Sequence, residues 1–281
     1  YLYASRRSVN LASVYDASAA ELEWVVRRSE TLSLGVVLDR LDLDGRDVAD
    51  ELAAAGLEPW DDSTPVTDDL RSSLQAAMRS RPLRDVLLAK AKARREVVIE
   101  YLRQEGVLDG NGFGVVDIGG VGSQARSLYE LCTRSGSDPP RFFFVGLDAH
   151  PDPEQARVAG GGAWLEAAEC YLFDQQRGRG IAPFRGLITS VQLFCAADHG
   201  TVTGYRRRGD RVEPVLKADR DDDVLAWGLP AVRETLRQFV ANLVLDDELV
   251  DLGADLRGAV CGVVREFARD VVVTKNGYLK S

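Results

Sequence analysis

Hydrophobic positions in this chain recur at helical spacing up to about residue 106 and then gather into short continuous runs. Ala19, Leu22, Trp24 and Val25 share a broad apolar face, which predicts a helix over Asp16–Arg28 with Asp16 or Ser18 as its cap. Shorter helices are expected over Thr31–Leu41 and Arg46–Ala55, the second closed by Gly56. Two longer ones follow, over Thr67–Ser80 and Leu83–Glu105. In the latter Leu87, Leu88, Ala91, Val98, Tyr101 and Leu102 face inward, and Gly106 ends the helix. Lys90, Lys92, Arg94, Arg95 and Glu96 read as its solvated face.

After the turn Asp109-Gly110-Asn111-Gly112 the pattern changes. Phe113–Ile118 is apolar enough for a buried strand, Gln124–Arg134 is helical, and Arg141–Leu147 is a second buried strand. Strand, helix and strand in so short a span make a βαβ unit, and so part of a parallel sheet with a right-handed crossover. Tyr1–Ala4 alternates like a strand already under way, which suggests a piece of a longer polypeptide.

Gly160-Gly161-Gly162 reads as a turn, Ala163–Cys170 is mixed, Asp174–Gly180 is a polar loop and Ile188–Cys195 a strand. Gly200–Tyr205 and Arg211–Leu216 form a hairpin turning at Arg208-Gly209-Asp210, and Val224–Leu245 and Leu256–Asp270 are helices. The expected architecture is one α/β domain over 1–281, with a mostly parallel sheet and flanking helices, phosphoribosyltransferase-like or Rossmann-like in three layers. The sheet core falls at about 1–7 and 113–216, a largely helical N-terminal insertion at about 14–106, and C-terminal helices at 224–270.

Composition narrows the partners. With 281 residues, 45% of them hydrophobic, the chain can bury a sizeable core. A formal charge of −9, from 44 acids against 35 bases, argues against a dedicated nucleic-acid binder, although Arg206-Arg207-Arg208 offers a local anion spot. Cys132, Cys170, Cys195 and Cys261 form no CxxC pair and lie in apolar surroundings, so free buried thiols in a reducing cytoplasm are expected. The two histidines, His150 and His199, have no metal-ligand spacing, and no structural zinc site is expected, which leaves open a metal held by carboxylates alone. No apolar run reaches the ~20 residues of a membrane helix, and YLYASRRSVNL is not a signal peptide, so neither membrane insertion nor export is expected.

Candidate chemistry centres on VVDIGGVGSQ, residues 115–124. Glycines after a strand let a ligand approach backbone N–H groups, and the helix that follows turns its positive end to an anion. The frame is wrong for a dinucleotide fingerprint, because Ala125 stands where a further glycine is needed. Two readings stay open besides a plain turn: a methyl-donor loop with Asp148 as the ribose acid, and a phosphoribosyl-diphosphate loop of phosphoribosyltransferase type, in which Ile118 stands where a second acid is usual. Arg6 and Arg7 could supply a guanidinium fork, and Asp148 and His150 sit at a strand end where open sheets bind ligands. His199 beside Asp198 could act as base or phosphate donor. Asp42-Leu43-Asp44-Gly45 imitates a phosphatase nucleophile, but the preceding LGVVLDRL has helical spacing, whereas that nucleophile must end a buried strand. There is no GxSxG elbow for acyl-enzyme hydrolysis.

The segments YLYASRRSVNLASV, RREVVIEYLRQEGV, VVDIGGVGSQARSLYEL, FFFVGLDA and DHGTVTGYRRRGDRVEPVL, in that order, resemble the C-terminal region of bacterial predicted hydrolases of the haloacid dehalogenase superfamily that accompany surface-polysaccharide and glycosyltransferase genes. The resemblance spans nearly the whole chain. It places Ser5, Arg6 and Arg7 on the family's SRR element, Asp117, Gly119, Gly122 and Ser123 on its strand-loop-helix element, and His199, Gly200, Gly204 and Tyr205 on its HGxxxGY element. Gly120 stands where that family commonly has Trp, and the phosphatase-like half with its nucleophile has no counterpart here, so hydrolase activity carries over to no residue.

The resulting expectation is a cytoplasmic ligand-binding domain for a phosphorylated sugar or nucleotide-sugar in bacterial surface-glycan metabolism, partnered by a phosphatase-like domain of the same polypeptide. Arg6, Arg7, Asp117, Gly119, Gly122, Ser123, Gln124, Asp148 and His199 are its candidate ligand-binding residues. No catalytic residue is assigned, and Mg2+ could accompany the phosphorylated ligand. The alternatives are an S-adenosylmethionine-dependent methyltransferase and a non-catalytic scaffold that docks a phosphatase domain onto glycosyltransferases.

Overall fold

The computed structural model describes residues 1–27, 32–57, 61–110, 112–150, 162–179, 197, 199–218 and 222–242. The N-terminal half is helical. α1 (Arg6–Val9), α2 (Ala19–Leu22), α3 (Leu34–Arg40) and α4 (Ala49–Ala54) are short, and α5 (Asp68–Arg79) and α6 (Leu83–Gln104) are long. Local chemistry sets their ends: the Thr67 hydroxyl accepts from the Leu70 N–H at the start of α5, and Gly106, at φ +75°, turns the chain after α6. The Asp42 segment follows helix α3 as a turn, as its helical spacing predicted.

α6 carries two cores. Its first half contributes Leu83, Leu87 and Ala91 to an N-terminal cluster with Leu34, Leu38 and Leu74, while its second half places Val98, Tyr101 and Leu102 against the sheet. That sheet is parallel, in the order β1 (Gly114–Gly120), β2 (Arg141–Leu147), β3 (Ala168–Asp174). α7 (Ser123–Arg134) connects β1 to β2, and the short α8 (Ala163–Glu166) precedes β3. Phe142 and Phe144 point into the core shared with Leu128 and Leu131 of α7, so this face of the sheet is buried. On the opposite face Val116, paired in register with Phe143, is 80% exposed.

The sheet differs from the expected one at three places. Tyr1–Ala4 is not a strand. Its backbone is tied down by side chains instead, since the Tyr3 N–H donates to Tyr101 Oη at 2.9 Å and Tyr205 Oη donates to the Tyr3 carbonyl at 2.6 Å. β3 begins in the segment expected to be mixed and ends at Asp174, the first residue of the expected polar loop, and its pairing with β2 makes it a strand. The hairpin β4 (Val202–Arg208) and β5 (Arg211–Leu216) turns at Gly209 as expected, but it is a separate two-stranded antiparallel sheet. The parallel sheet therefore spans 114–174 among the described residues, not 1–7 and 113–216.

Gly228, at φ +117°, divides the expected Val224–Leu245 helix into α9 (Asp222–Trp227) and α10 (Leu229–Asn242). The expected strand Ile188–Cys195 and helix Leu256–Asp270 lie outside the described residues. No helix among the described residues is long and apolar enough to cross a membrane.

Candidate functional site

Ser5 fixes the start of α1 by a capping box: its hydroxyl accepts from the Ser8 N–H at 3.2 Å, and Ser8 Oγ accepts from the Ser5 N–H at 2.9 Å. The Ser5 hydroxyl also donates to the Val202 carbonyl at 2.5 Å, which pins the helix start to β4. Arg6 and Arg7 are thereby presented in the first turn, both exposed, at the mouth of a cleft of about 450 Å³. Arg27, Arg40, Ser123 and Gln124 line the same cleft.

Each arginine is held differently. Arg7 pairs with Asp39. Arg27 makes a fork to Glu23, with Nε donating to Oε1 at 2.7 Å, and His150 Nε2 lies 2.8 Å from the same carboxylate oxygen. Burial pushes the Glu23 carboxyl up, but Arg27 and then His150 outweigh it, so it rests below the ordinary glutamate value. Arg40 Nη1 donates to the carbonyls of Trp24, Val25 and Arg27 at 3.2, 2.7 and 3.3 Å. Burial, then repulsion from Arg6 and Arg27, lowers the Arg40 pKa.

The Arg6 guanidinium has neither hydrogen bond nor ion pair among the described residues, and the same holds for the Ser123 hydroxyl and the Gln124 amide. These two residues open α7, whose first-turn N–H groups lack intrahelical partners and carry the positive end of the helix dipole. Two unsatisfied side chains, a helix N-terminus and four guanidinium groups thus share one cavity. The arrangement suits an anion.

No protein-family model matches the chain, and no curated protein matches it.

Of the residues singled out in the sequence, Arg6, Arg7, Ser123 and Gln124 come together at the cleft. Asp117 does not line it, yet lies near enough to Arg6 to feel its charge. Burial raises the Asp117 pKa above the ordinary aspartate value, the N–H groups of Gly119 and Ile118 and the Arg6 charge opposing the rise only in part. Gly119 donates to Asp117 Oδ1 at 3.3 Å, so the loop glycine serves the aspartate.

Gly122 does not line the cleft either. It has φ +74° and a Cβ there would lie 2.3 Å from Trp164, so glycine is needed for backbone conformation and packing.

Asp148 and His199 stand apart from the cleft lining. Asp148 begins the segment after β2, its N–H donating to the Gly120 carbonyl at 2.9 Å. His199 packs its ring against Tyr1 and Tyr3, with centroids 5.6 and 4.9 Å away, and its Nδ1 lies 2.9 Å from the Gly200 carbonyl. Asp198 lies outside the described residues.

Arg27, Arg40 and Trp24 are cleft residues that sequence reading missed. Arg40 ends a helix and Arg27 follows one, positions where a basic residue ordinarily reads as a solvated or dipole-complementing charge. No group of three His, Cys, Asp or Glu side chains among the described residues is placed to hold a metal ion. Cys132 and Cys170 are free thiols, and burial raises their pKa values to about 11 and about 12. Cys195 and Cys261 lie outside the described residues.

Proposed function

We propose that this chain binds a phosphorylated sugar or nucleotide-sugar in the arginine cleft, as the ligand-binding part of a bacterial surface-glycan protein that also contains a phosphatase-like domain. One observation carries the reading: Arg6, with neither hydrogen bond nor ion pair among the described residues, faces the same cavity as the first turn of α7. A cleft of about 450 Å³ is large enough for a small-molecule ligand. Arg7 and Arg40 extend the cationic wall, which suits the several oxygens of a phosphate ester.

Thermal unfolding with saturating inorganic pyrophosphate and UDP-glucose tests the reading. Ligand at about a hundred times its Kd stabilises the native state by about 2.7 kcal/mol. Arg6→Ala should leave the unliganded Tm nearly unchanged and remove most of the ligand shift. No shift with either compound in the wild type overturns the proposal.

A docking role has one observation in its favour. Leu236 and Phe239 lie on one face of α10 and are 42% and 61% exposed, with Trp227 of α9 at 59%. An apolar stripe of that kind suits a protein partner such as the phosphatase-like domain. Phe239→Glu should abolish co-purification with that domain while leaving pyrophosphate binding intact; retained co-purification rejects this role.

A further inference from the structure

Beside the arginine cleft lies a second, smaller cavity of about 180 Å³, and Trp24 and Ser123 line both. The two differ in chemistry. The larger is walled by four guanidinium groups with Asp39, whereas the smaller mixes serine hydroxyls with the carboxylates of Asp16, Glu21 and Glu130 and with two arginines, Arg126 donating to the Ala20 carbonyl and Arg134 paired with Glu21 and Glu130.

Not all these groups are available to a ligand. Glu21 Oε2 already accepts from the N–H groups of Tyr15, Asp16 and Ala17 at 2.8, 2.8 and 3.1 Å. Ser13 and Ser127 are joined to each other at 3.1 Å, and Ser127 donates to Asn10 Oδ1 at 3.0 Å. Glu130, by contrast, is 40% exposed and among the described residues bonds only Arg134, at 3.3 Å. The Ser123 hydroxyl has no partner among the described residues.

A carboxylate that accepts, a hydroxyl that does either, and an indole whose face can cover C–H groups are the means by which a hydroxylated ring is recognised. In the larger cleft, Arg7 and Arg27 have carboxylate partners in Asp39 and Glu23, while Arg6 and Arg40 have none among the described residues. Two guanidinium groups outside any ion pair among the described residues suit two phosphoryl groups, although the Asp117 charge acts on Arg6 and the Glu23 charge on Arg40. A volume of about 450 Å³ leaves room for more than phosphate.

Resting on the reading of the cleft as a phosphate site, we infer that the ligand is a nucleoside-diphosphate sugar, with its nucleotide half in the arginine cleft and its sugar ring in the smaller cavity beyond Trp24, against Glu130 and Ser123. The sugar therefore adds affinity to a nucleotide that already binds, and it does so through Glu130, which does not line the arginine cleft.

Isothermal titration of the whole chain with UDP-glucose, GDP-mannose, the two parent nucleoside diphosphates, glucose 1-phosphate and inorganic pyrophosphate tests this. At least one nucleotide-sugar should bind about tenfold or more tighter than its parent diphosphate, as one hydrogen bond to a charged group provides. Glu130→Gln and Glu130→Ala should erase that increment and leave the parent diphosphate's affinity unchanged, because Glu130 lines only the smaller cavity. Circular dichroism and binding of that diphosphate show that the variants are folded.

If both nucleotide-sugars bind no better than their parents, while the parents still depend on Arg6, the inference falls and the phosphate cleft stands. Glucose 1-phosphate binding as tightly as UDP-glucose also overturns it, because the nucleotide half would then add nothing. Absence of binding by every compound removes both readings together.

Discussion

Gly122 faces the indole of Trp164 so closely that a Cβ on the glycine would stand 2.3 Å from Cη2 and 2.9 Å from Cζ3. The contact joins the turn between β1 and α7 to α8, and it assigns the glycine to packing and backbone geometry. Gly122→Ala combines a left-handed φ of +74° with overpacking against an aromatic ring. A loss of about 2–5 kcal/mol is expected from those two effects. In urea denaturation, Gly122→Ala,Trp164→Leu should recover part of that loss. Equal destabilisation of the single and double variants would show that the indole is not the obstacle.

Glu23 sits beneath the cleft, 2% exposed, and holds Arg27 in place. Removing it leaves a guanidinium with little solvent, so Glu23→Ala should cost about 3–5 kcal/mol, as when one partner of a buried pair is deleted. The sign of its pH dependence follows from its lowered pKa. The folded carboxyl is more acidic than the unfolded one, so its stabilisation is complete above the usual glutamate range and is lost as the pH falls through it. Between about pH 5 and pH 3 the wild-type Tm should drop more steeply than that of Glu23→Gln. Parallel pH profiles would refute the role given to this pair.

Asp117 has the opposite sign. Burial raises its pKa, so the folded state favours the protonated carboxyl, and the associated stability is present at low pH and lost as the pH rises through the raised value. Asp117→Asn should therefore raise the Tm more at about pH 7 than at about pH 4. If Asp117 also orients Arg6, the same variant should weaken pyrophosphate binding. A Tm gain that is equal at both pH values would contradict the raised pKa.

Cys132 and Cys170, with thiol pKa values of about 11 and about 12, are almost wholly protonated at neutral pH. Thiolate is the reactive form. Peptide-resolved iodoacetamide labelling at pH 8 should modify both sites at least tenfold more slowly in the native protein than in guanidinium, an order-of-magnitude expectation from the thiolate fraction. Fast native labelling of Cys132 would show that its surroundings open readily.

Elements with a strong internal period were legible in the chain. α6 follows from Leu87, Ala91, Val98 and Leu102 and ends at Gly106, while β2 coincides with the apolar run Arg141–Leu147. β3 was not legible: Glu169 at its start and Asp174 at its end interrupt the apolar pattern, and it becomes a strand through hydrogen bonding to β2. The reverse error occurs at Tyr1–Ala4, whose alternation looks like a strand. There the Tyr3 backbone is bonded by the hydroxyls of Tyr101 and Tyr205 and not by a neighbouring strand.

The candidate site divides in the same way. From the sequence alone follow the α/β class, the βαβ unit and the strand-loop-helix that ends in Ser123 and Gln124, because hydrophobic period and turn residues act over a few neighbouring positions. Folding alone decided that Arg27 and Arg40 join Arg6 at that helix start, that Gly122 belongs to Trp164, and that His199 and Asp148 stand elsewhere. A cleft is made by residues distant in the chain, each placed by the core beneath it, and a charged side chain in a linear sequence does not reveal which charges it will face.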